Sequence, residues 1–335
     1  MKQVLIVGGG IAGLQTAVRL AGRGIRPIVI EKEELPGGKL RRWHKLFPTF
    51  TPAEEVLGEL QTRAARAGVE IRTGVSVEQV SAGGVTLAGG GHLAGDAVVI
   101  ATGFTLFDAR IKEEYGYGIY PDVYTSADLE RMFREGRVTR ADGAAPRRIA
   151  ILHCVGSRDE KVCQHHCSKV CCVTGVKQAM ELKRLYPAAD VFNFYMDIRM
   201  FGPGHEVMYR EAQQRCNIHF VRGRISEPSP TIDGRLQIKA EDTLTGRPLR
   251  MSVDMLILLI GMQANGDSAR FAAGAGLRTA DNGFLAPRDL FLDNVKSPVE
   301  GIFYAGAVTA PKSVGECLND GDAAAAAVCD YLEGR

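Results

Sequence analysis

The sequence predicts an α/β fold of two dinucleotide-binding (Rossmann-like) domains, the second inserted into the first. Three observations carry this. The 335 residues amount to about two domains at roughly 150 residues each. A buried strand, a tight glycine turn, a helix and a second strand fill residues 2–32, and a second βαβ start follows about 145 residues later at Arg148. After that second series the chain returns to a final portion, residues 261–335. The division is thus 1–120 with 261–335 for the first domain and 121–260 for the inserted one.

Val4–Val7 reads as a buried parallel strand, and the helix after it places Leu14, Ala17, Val18 and Leu20 on one face. Arg26–Glu31 supplies the second strand. Past the Pro36-Gly37-Gly38 loop, Thr51 is an N-cap for a helix over about Pro52–Ala67. A strand at Val69–Thr73, a hairpin around Gly83–Gly91 and the buried strand Ala97–Ile100 follow. An aromatic loop, Tyr115–Tyr120, leads to a short helix starting near Ser126, and Glu135–Arg148 reads as a polar linker. The second series runs through a strand at Arg148–Leu152, a helix near Val173–Leu185, a strand at Asp190–Tyr195, a helix near His205–Arg215 and a strand at Asn217–Val221. Strand-like stretches at Leu236–Ala240 and Leu249–Leu259 precede the final portion, which ends in an alanine-rich helix, Asp322–Leu332.

Glycine is about 12% of the chain (39 of 335), against an average of about 7%. No repeat absorbs the excess, so much of it sits at particular turns. A hydrophobic content of 45% and a charged content of 24% exclude a disordered chain, and a net charge of +2 gives no reason to expect nucleic acid. The longest apolar run, Met255–Ile260, is too short to span a bilayer. The first strand begins at Val4 with no room for a signal peptide before it, so a cytoplasmic location is expected. Five of the eight cysteines, Cys154, Cys163, Cys167, Cys171 and Cys172, lie within 19 residues. In a cytosolic chain such clustering points to metal or redox chemistry.

Gly8-Gly9-Gly10-Ile11-Ala12-Gly13 satisfies G-x-G-x-x-G directly after a strand and opening a helix. Gly8 permits the turn, Gly10 lets a pyrophosphate approach the backbone, and Gly13 allows close helix–strand packing. Glu31 ends the second strand, where a carboxylate can bond a ribose hydroxyl. Together with Lys32, Gly38, Lys39, Ala101-Thr102-Gly103 and Gly301–Gly306, the fingerprint resembles the two-dinucleotide-domain flavoproteins of the thioredoxin and glutathione reductase type. The resemblance implies FAD at this site, with Ile11, Ala12, Val77 and Gly306 among its binding residues. It also places the backbone of Lys312, Ser313 and Val314 near the flavin pyrimidine ring. That superfamily normally carries an aspartate where this chain has Ala307, so the ribityl contact is absent or supplied otherwise.

In the pyridine-nucleotide reductases of this superfamily the second βαβ turn carries another glycine fingerprint. Here it reads His153-Cys154-Val155-Gly156-Ser157-Arg158, with one glycine left. Asp197 could act as a ribose acid, but a tightly bound nicotinamide is not expected. Cys154, Cys167, Cys171 and Cys172 supply the four thiolates that a [4Fe–4S] cluster requires. Zinc bound with His165 and His166, a redox disulfide and inert thiols are the other readings of this stretch. Cys163 reads as a bystander, and Cys216, Cys317 and Cys329 as structural.

Phe107–Arg110, Tyr115–Gly118, Cys154–Asp159, Cys167–Cys172, Tyr195–Arg199 and Pro311-Lys312 together resemble the A subunit of heterodisulfide reductase. Large members of that family add an N-terminal iron–sulfur domain and inserted ferredoxin domains. The chain is most similar to the short A-like subunit of the sulfur-oxidising heterodisulfide reductase-like complex, with the A subunit of quinone-interacting complexes as the near alternative. The resemblance implies FAD plus one [4Fe–4S] cluster on Cys154, Cys167, Cys171 and Cys172. It also places Lys177 near the flavin N5, where a cation favours the reduced flavin. Without the family, Lys177 would read as a solvated helix lysine.

The implied function is electron transfer between flavin and partner subunits during cytoplasmic oxidation of sulfane sulfur. Other complex subunits, a lipoate-bearing or sulfur-carrier protein and a second copy of the chain are the implied partners. A stand-alone NAD(P)H-dependent flavin reductase and a zinc-stapled flavin scaffold are the competing readings.

Overall fold

The computed structural model describes residues 1–334. Its seven α-helices are, in chain order, α1 (Ile11–Ala21), α2 (Ala53–Arg66), α3 (Ser126–Arg134), α4 (Cys171–Leu185), α5 (His205–Gln214), α6 (Asp267–Ala275) and α7 (Val314–Leu332). Among the described residues none is long and apolar enough to cross a membrane.

The chain divides into two units. The first comprises Met1–Arg41, Ala53–Thr105 and Gln263–Arg335, the second Arg42–Pro52 and Leu106–Met262. The second unit therefore begins fifteen residues before the expected 121 and takes in the aromatic loop at Tyr115. It also claims Arg42–Pro52, which the sequence division places in the first.

Each unit is built on the same plan. The first holds a five-stranded parallel sheet in the order Ile302–Tyr304, Ala97–Ile100, Gln3–Val7, Arg26–Ile30, Glu70–Arg72. A three-stranded antiparallel sheet, Val77–Ser81, Gly84–Leu87 and His92–Ala94, lies between two of these strands in sequence. The second unit's parallel sheet runs Val123–Thr125, Met255–Ile260, Arg148–Val155, Asp190–Tyr195, His219–Arg222. Its antiparallel sheet is Ile225–Pro230, Leu236–Asp242 and Arg247–Val253. In the first unit Gln3–Val7, Arg26–Ile30 and Glu70–Arg72, and in the second Arg148–Val155, Asp190–Tyr195 and His219–Arg222, fan out to one side; after the antiparallel sheet the chain pairs on the other edge of Gln3–Val7 or of Arg148–Val155. The central strands are buried on both faces, as a parallel sheet requires, with Val4–Ile6, Val98–Ile100, Ile149–Ile151 and Leu256–Leu258 at 1% exposure or less.

Three local expectations need correction. The run Leu249–Leu259 is two strands, because Asp254 turns the chain by accepting from the Arg147 and Arg148 amides at 2.7 and 2.8 Å. Helix α7 begins at Val314, eight residues before Asp322, because a reciprocal capping box between Ser313 and Glu316 starts it there. Helix α6 falls where no element is expected, and Gly276 closes it in the left-handed region at φ +67°.

Candidate functional site

The first unit's turn is shaped by what a Cβ would strike. At Gly8, φ is +111° and a Cβ would lie 2.5 Å from the Ala101 carbonyl oxygen. At Gly13 it would lie 2.1 Å from the Gly8 oxygen. At Gly10 it would meet nothing within 4 Å, which is the open space that a pyrophosphate needs beside the start of α1. Gly38 lies over Gly10, 3.1 Å from its Cα by the same measure, and the Gly37 amide donates to the Gly9 oxygen at 2.7 Å. Gly306 packs against Ala12, where a Cβ would come within 2.7 Å.

Glu31 is buried, accepting from the Gly9 amide at 2.7 Å and the Glu33 amide at 2.9 Å. It braces the glycine turn as well as ending the strand. The structure thus brings Gly8, Gly10, Ala12, Gly13, Glu31, Gly38, Ala101, Thr102 and Gly306 together at the first turn of α1. Among the described residues Thr102 Oγ1 is buried without a partner, and Asn265, which no sequence motif marks, donates to the Thr102 carbonyl at 2.9 Å. Open space at Gly10 and an orphaned hydroxyl at Thr102 fit a dinucleotide. Ile11 opens α1. Lys32 pairs with Asp267 at 3.8 Å, Lys39 lies 4.6 Å over the Phe104 ring, Gly103 has φ +67°, and Val77 is buried at the start of its strand. The Ser313 amide is engaged with Glu316, while Val314 and its neighbour Gly315 open α7 with first-turn amides of the kind helices leave unpaired.

In the second unit the equivalent turn is filled from within. A Cβ on Gly156 would lie 2.0 Å from the Phe107 ring, so the aromatic side chain packs directly against this turn. Asp197 is not free to serve as a ribose acid. The Arg158 guanidinium bonds it at 2.8 Å and holds its carboxyl below the usual range, with Arg222 3.8 Å away.

The cysteines surround this turn. Cys154 sits at a break in its strand's register with φ +61°, and Cys171 and Cys172 are the first two residues of α4. All three are buried, Cys167 is half-buried, and all are free thiols. Burial pushes the Cys154 thiol up to about 11, aided by Cys172 and Cys167 and opposed by Arg158 and Arg224. Cys171 is raised by burial and by Cys154, Cys172 and Cys167, and Cys172 by burial against the pull of Arg199 and Arg158. Four thiols therefore share one electrostatic neighbourhood, and thiolates are the donor type that iron–sulfur clusters use. Among the described residues no three His, Cys, Asp or Glu side chains form a group that could hold a metal ion. Cys163 is exposed, and Cys317 and Cys329 are buried in α7.

Lys177 is not the solvated lysine that its residue type suggests. It is 2% exposed, and its ammonium bonds the Lys45 carbonyl at 3.0 Å, Glu181 at 3.1 Å and Glu130. His44 joins Glu181 through Nδ1 at 2.8 Å and Glu130 through its amide at 2.8 Å. Gln178 donates to Glu130 at 2.7 Å. No sequence signal marks Glu130 or His44, and only its place one turn after Lys177 marks Glu181; His44 and Glu181 lie 137 positions apart.

The pyridine nucleotide-disulphide oxidoreductase family matches residues 2–132. The chain is 30% identical to the iron–sulfur A subunit of CoB–CoM heterodisulfide reductase from Methanocaldococcus jannaschii, over 98% of this chain and 64% of that one. Against the A subunit of H2:CoB–CoM heterodisulfide, ferredoxin reductase from Methanothermobacter thermautotrophicus it is 36% identical, over 68% of this chain and 36% of that one. The chain thus spans less than two thirds of the length of these relatives. Among solved structures it is similar to thioredoxin reductase from T. acidophilum, with a TM-score of 0.68, 18% identity, and coverage of 100% and 99%. The Lactococcus lactis thioredoxin reductase gives a TM-score of 0.70 at 18% identity, with coverage of 100% on both sides. The chain therefore has the two-dinucleotide-domain fold of these thioredoxin reductases, and in sequence it is similar to A subunits of heterodisulfide reductases.

Proposed function

We propose that the chain is an electron-transfer subunit of a heterodisulfide reductase-like complex, with FAD at the first unit's glycine turn and one [4Fe–4S] cluster on Cys154, Cys167, Cys171 and Cys172. The observation that carries this reading is the contrast between two equivalent turns. One is open at Gly10, while the other has Phe107 packed on Gly156 and carries thiols that raise one another.

Bound there, the flavin would supply two-electron chemistry and the cluster single-electron steps. The chain's own residues do the holding and tuning. Gly8, Gly10 and Gly13 admit a phosphate to the α1 N-terminus, and Glu31 fixes the turn while its carboxylate remains an acceptor for a ribose hydroxyl. Arg199 and Arg158 partly offset the burial that raises the Cys172 thiol, and the start of α4 would favour thiolate character at Cys171 and Cys172 once a metal displaces their protons. The resemblance supports Lys177 as a cation favouring negative charge on the cofactor, and supports Lys32, Lys39, Val77, Lys312, Ser313 and Val314 as further cofactor contacts.

The motif set supports a finer assignment to the short A-like subunit of the sulfur-oxidising complex. On that assignment the chain acts in the cytoplasm as a dimer, with other subunits and a lipoate-bearing or sulfur-carrier protein as partners. Anaerobically prepared protein is expected to hold one FAD, about four irons and four sulfides per chain. Cys171→Ser should remove the iron and the cluster's visible absorption while FAD stays bound. One zinc and no iron, or full flavin reduction by stoichiometric NADH within milliseconds, would overturn the reading.

A further inference from the structure

We propose that Asp320, on α7, holds the ribityl chain of the bound flavin and so replaces the acid missing at Ala307; this rests on the FAD reading above. Three placements within the first unit carry it. Asp320 Oδ2 accepts from the Gly306 amide at 3.1 Å, so its carboxylate lies against the Ala305–Gly306 peptide, one residue before Ala307. The same oxygen pairs with the Lys312 ammonium, which also donates to Thr309 Oγ1 at 2.8 Å. The next residue, Gly321, packs on the first turn of α1, where a Cβ would fall 2.9 Å from the Ala12 oxygen, and Thr16 Oγ1 donates to its carbonyl at 3.2 Å.

Asp320 is thus fixed on one side to Gly306, which packs on Ala12 beside the turn proposed to receive the pyrophosphate, and on the other to Lys312, just before α7. In FAD the ribityl chain is the link between the pyrophosphate and the isoalloxazine ring. Its hydroxyls need acceptors, and alanine at 307 offers none from its side chain. The Asp320 side chain is 15% exposed, and among the described residues no hydrogen bond engages its Oδ1. That oxygen is the available acceptor. Burial, with this carboxylate beside it, pushes the neighbouring Cys317 thiol up to about 12.

The test uses the full chain stripped of flavin and titrated with FAD, followed by quenching of flavin fluorescence. A hydrogen bond to a charged acceptor is worth about 1.5–3 kcal/mol, so Asp320→Asn should weaken FAD binding roughly 10- to 150-fold. ADP has no ribityl chain, and its affinity should stay unchanged. Asp320→Asn with Ala307→Asp should recover FAD affinity, because the acid returns to the adjoining position. Asp320→Asn with Lys312→Met should not recover it. Recovery in the Lys312→Met pair would mean that Asp320 only neutralises Lys312, and would overturn the proposal. Equal loss of FAD and ADP affinity would also overturn it, since the damage would then lie in the turn itself. Failure of the unsubstituted chain to bind FAD would instead refute the flavin reading.

Discussion

Lys177→Met is the sharpest test of how the second unit is held together. The substitution keeps side-chain length and removes the charge, leaving Glu130 and Glu181 without their shared cation, their side chains only 5% and 4% exposed. Breaking a buried pair by deleting one partner costs about 3–5 kcal/mol, because the survivor is an uncompensated buried charge. With a urea slope of about 2 kcal/mol per molar, the unfolding midpoint should fall by roughly 1.5–2.5 M. Trp43 is the chain's one tryptophan and lies in Arg42–Pro52, the stretch whose Lys45 carbonyl receives the Lys177 ammonium. Its fluorescence reports this unit's unfolding directly. Lys177→Met with Glu181→Gln should regain at least half of the lost midpoint, since one of the two stranded charges is then gone. A midpoint shift under about 0.5 M for Lys177→Met would refute the reasoning, for it would show that the carboxylates carry no buried charge needing compensation.

The remaining predictions follow from single side chains. Gly10→Ala should leave the thermal stability within about 1 kcal/mol, since its Cβ meets nothing and φ is −72°, yet weaken FAD binding at least roughly tenfold by filling the pyrophosphate space. Gly13→Ala should damage both stability and binding, because its Cβ would lie 2.1 Å from the Gly8 oxygen; calorimetry and FAD titration separate the two variants. Burial alone would raise the Asp128 carboxyl, but hydrogen bonds from Thr125 and Tyr117 hold it below the usual range. Its contribution to stability is therefore present at neutral pH and lost as the pH falls below about 4 through the folded-state value. Asp128→Asn should cost about 1 kcal/mol at pH 7 and flatten that acid-range loss, as read from unfolding midpoints across pH 2–7.

How much of this is legible in sequence depends on how local the determinant is. The strand Asp190–Tyr195 and the fingerprint at residues 8–13 are readable because a buried run and a glycine spacing are written in consecutive residues. The nearness of Cys154, Cys167, Cys171 and Cys172 is foreshadowed by their clustering, but clustering does not set the exposed Cys163 apart. The early start of α7 is hidden because Gly315 and Gly321 lower helix propensity there, while Ser313 and Glu316, which override it, form a capping box that spans only four residues. Phe107 filling the second turn cannot be read, because it lies 49 positions before Gly156, nor can Asp320 beside the Gly306 amide. Lys177 reads wrongly on residue type. Its burial comes from Glu130, Glu181 and Lys45, none of which its own helix pattern announces except Glu181, one turn on.

The assignment of Arg42–Pro52 to the second unit has a bearing on how the chain can be taken apart. A simple insertion leaves its host once and re-enters it once, so it can be excised with one pair of cuts. This chain passes between the units four times, and the short passage carries His44 and Lys45, which answer Glu181 and Lys177. A fragment expressed as Leu106–Met262 would lack those partners, and its misbehaviour would say nothing about the folding of the intact unit. Any dissection of the protein, or any graft of its cysteine turn onto another scaffold, must bring the eleven residues of that passage along.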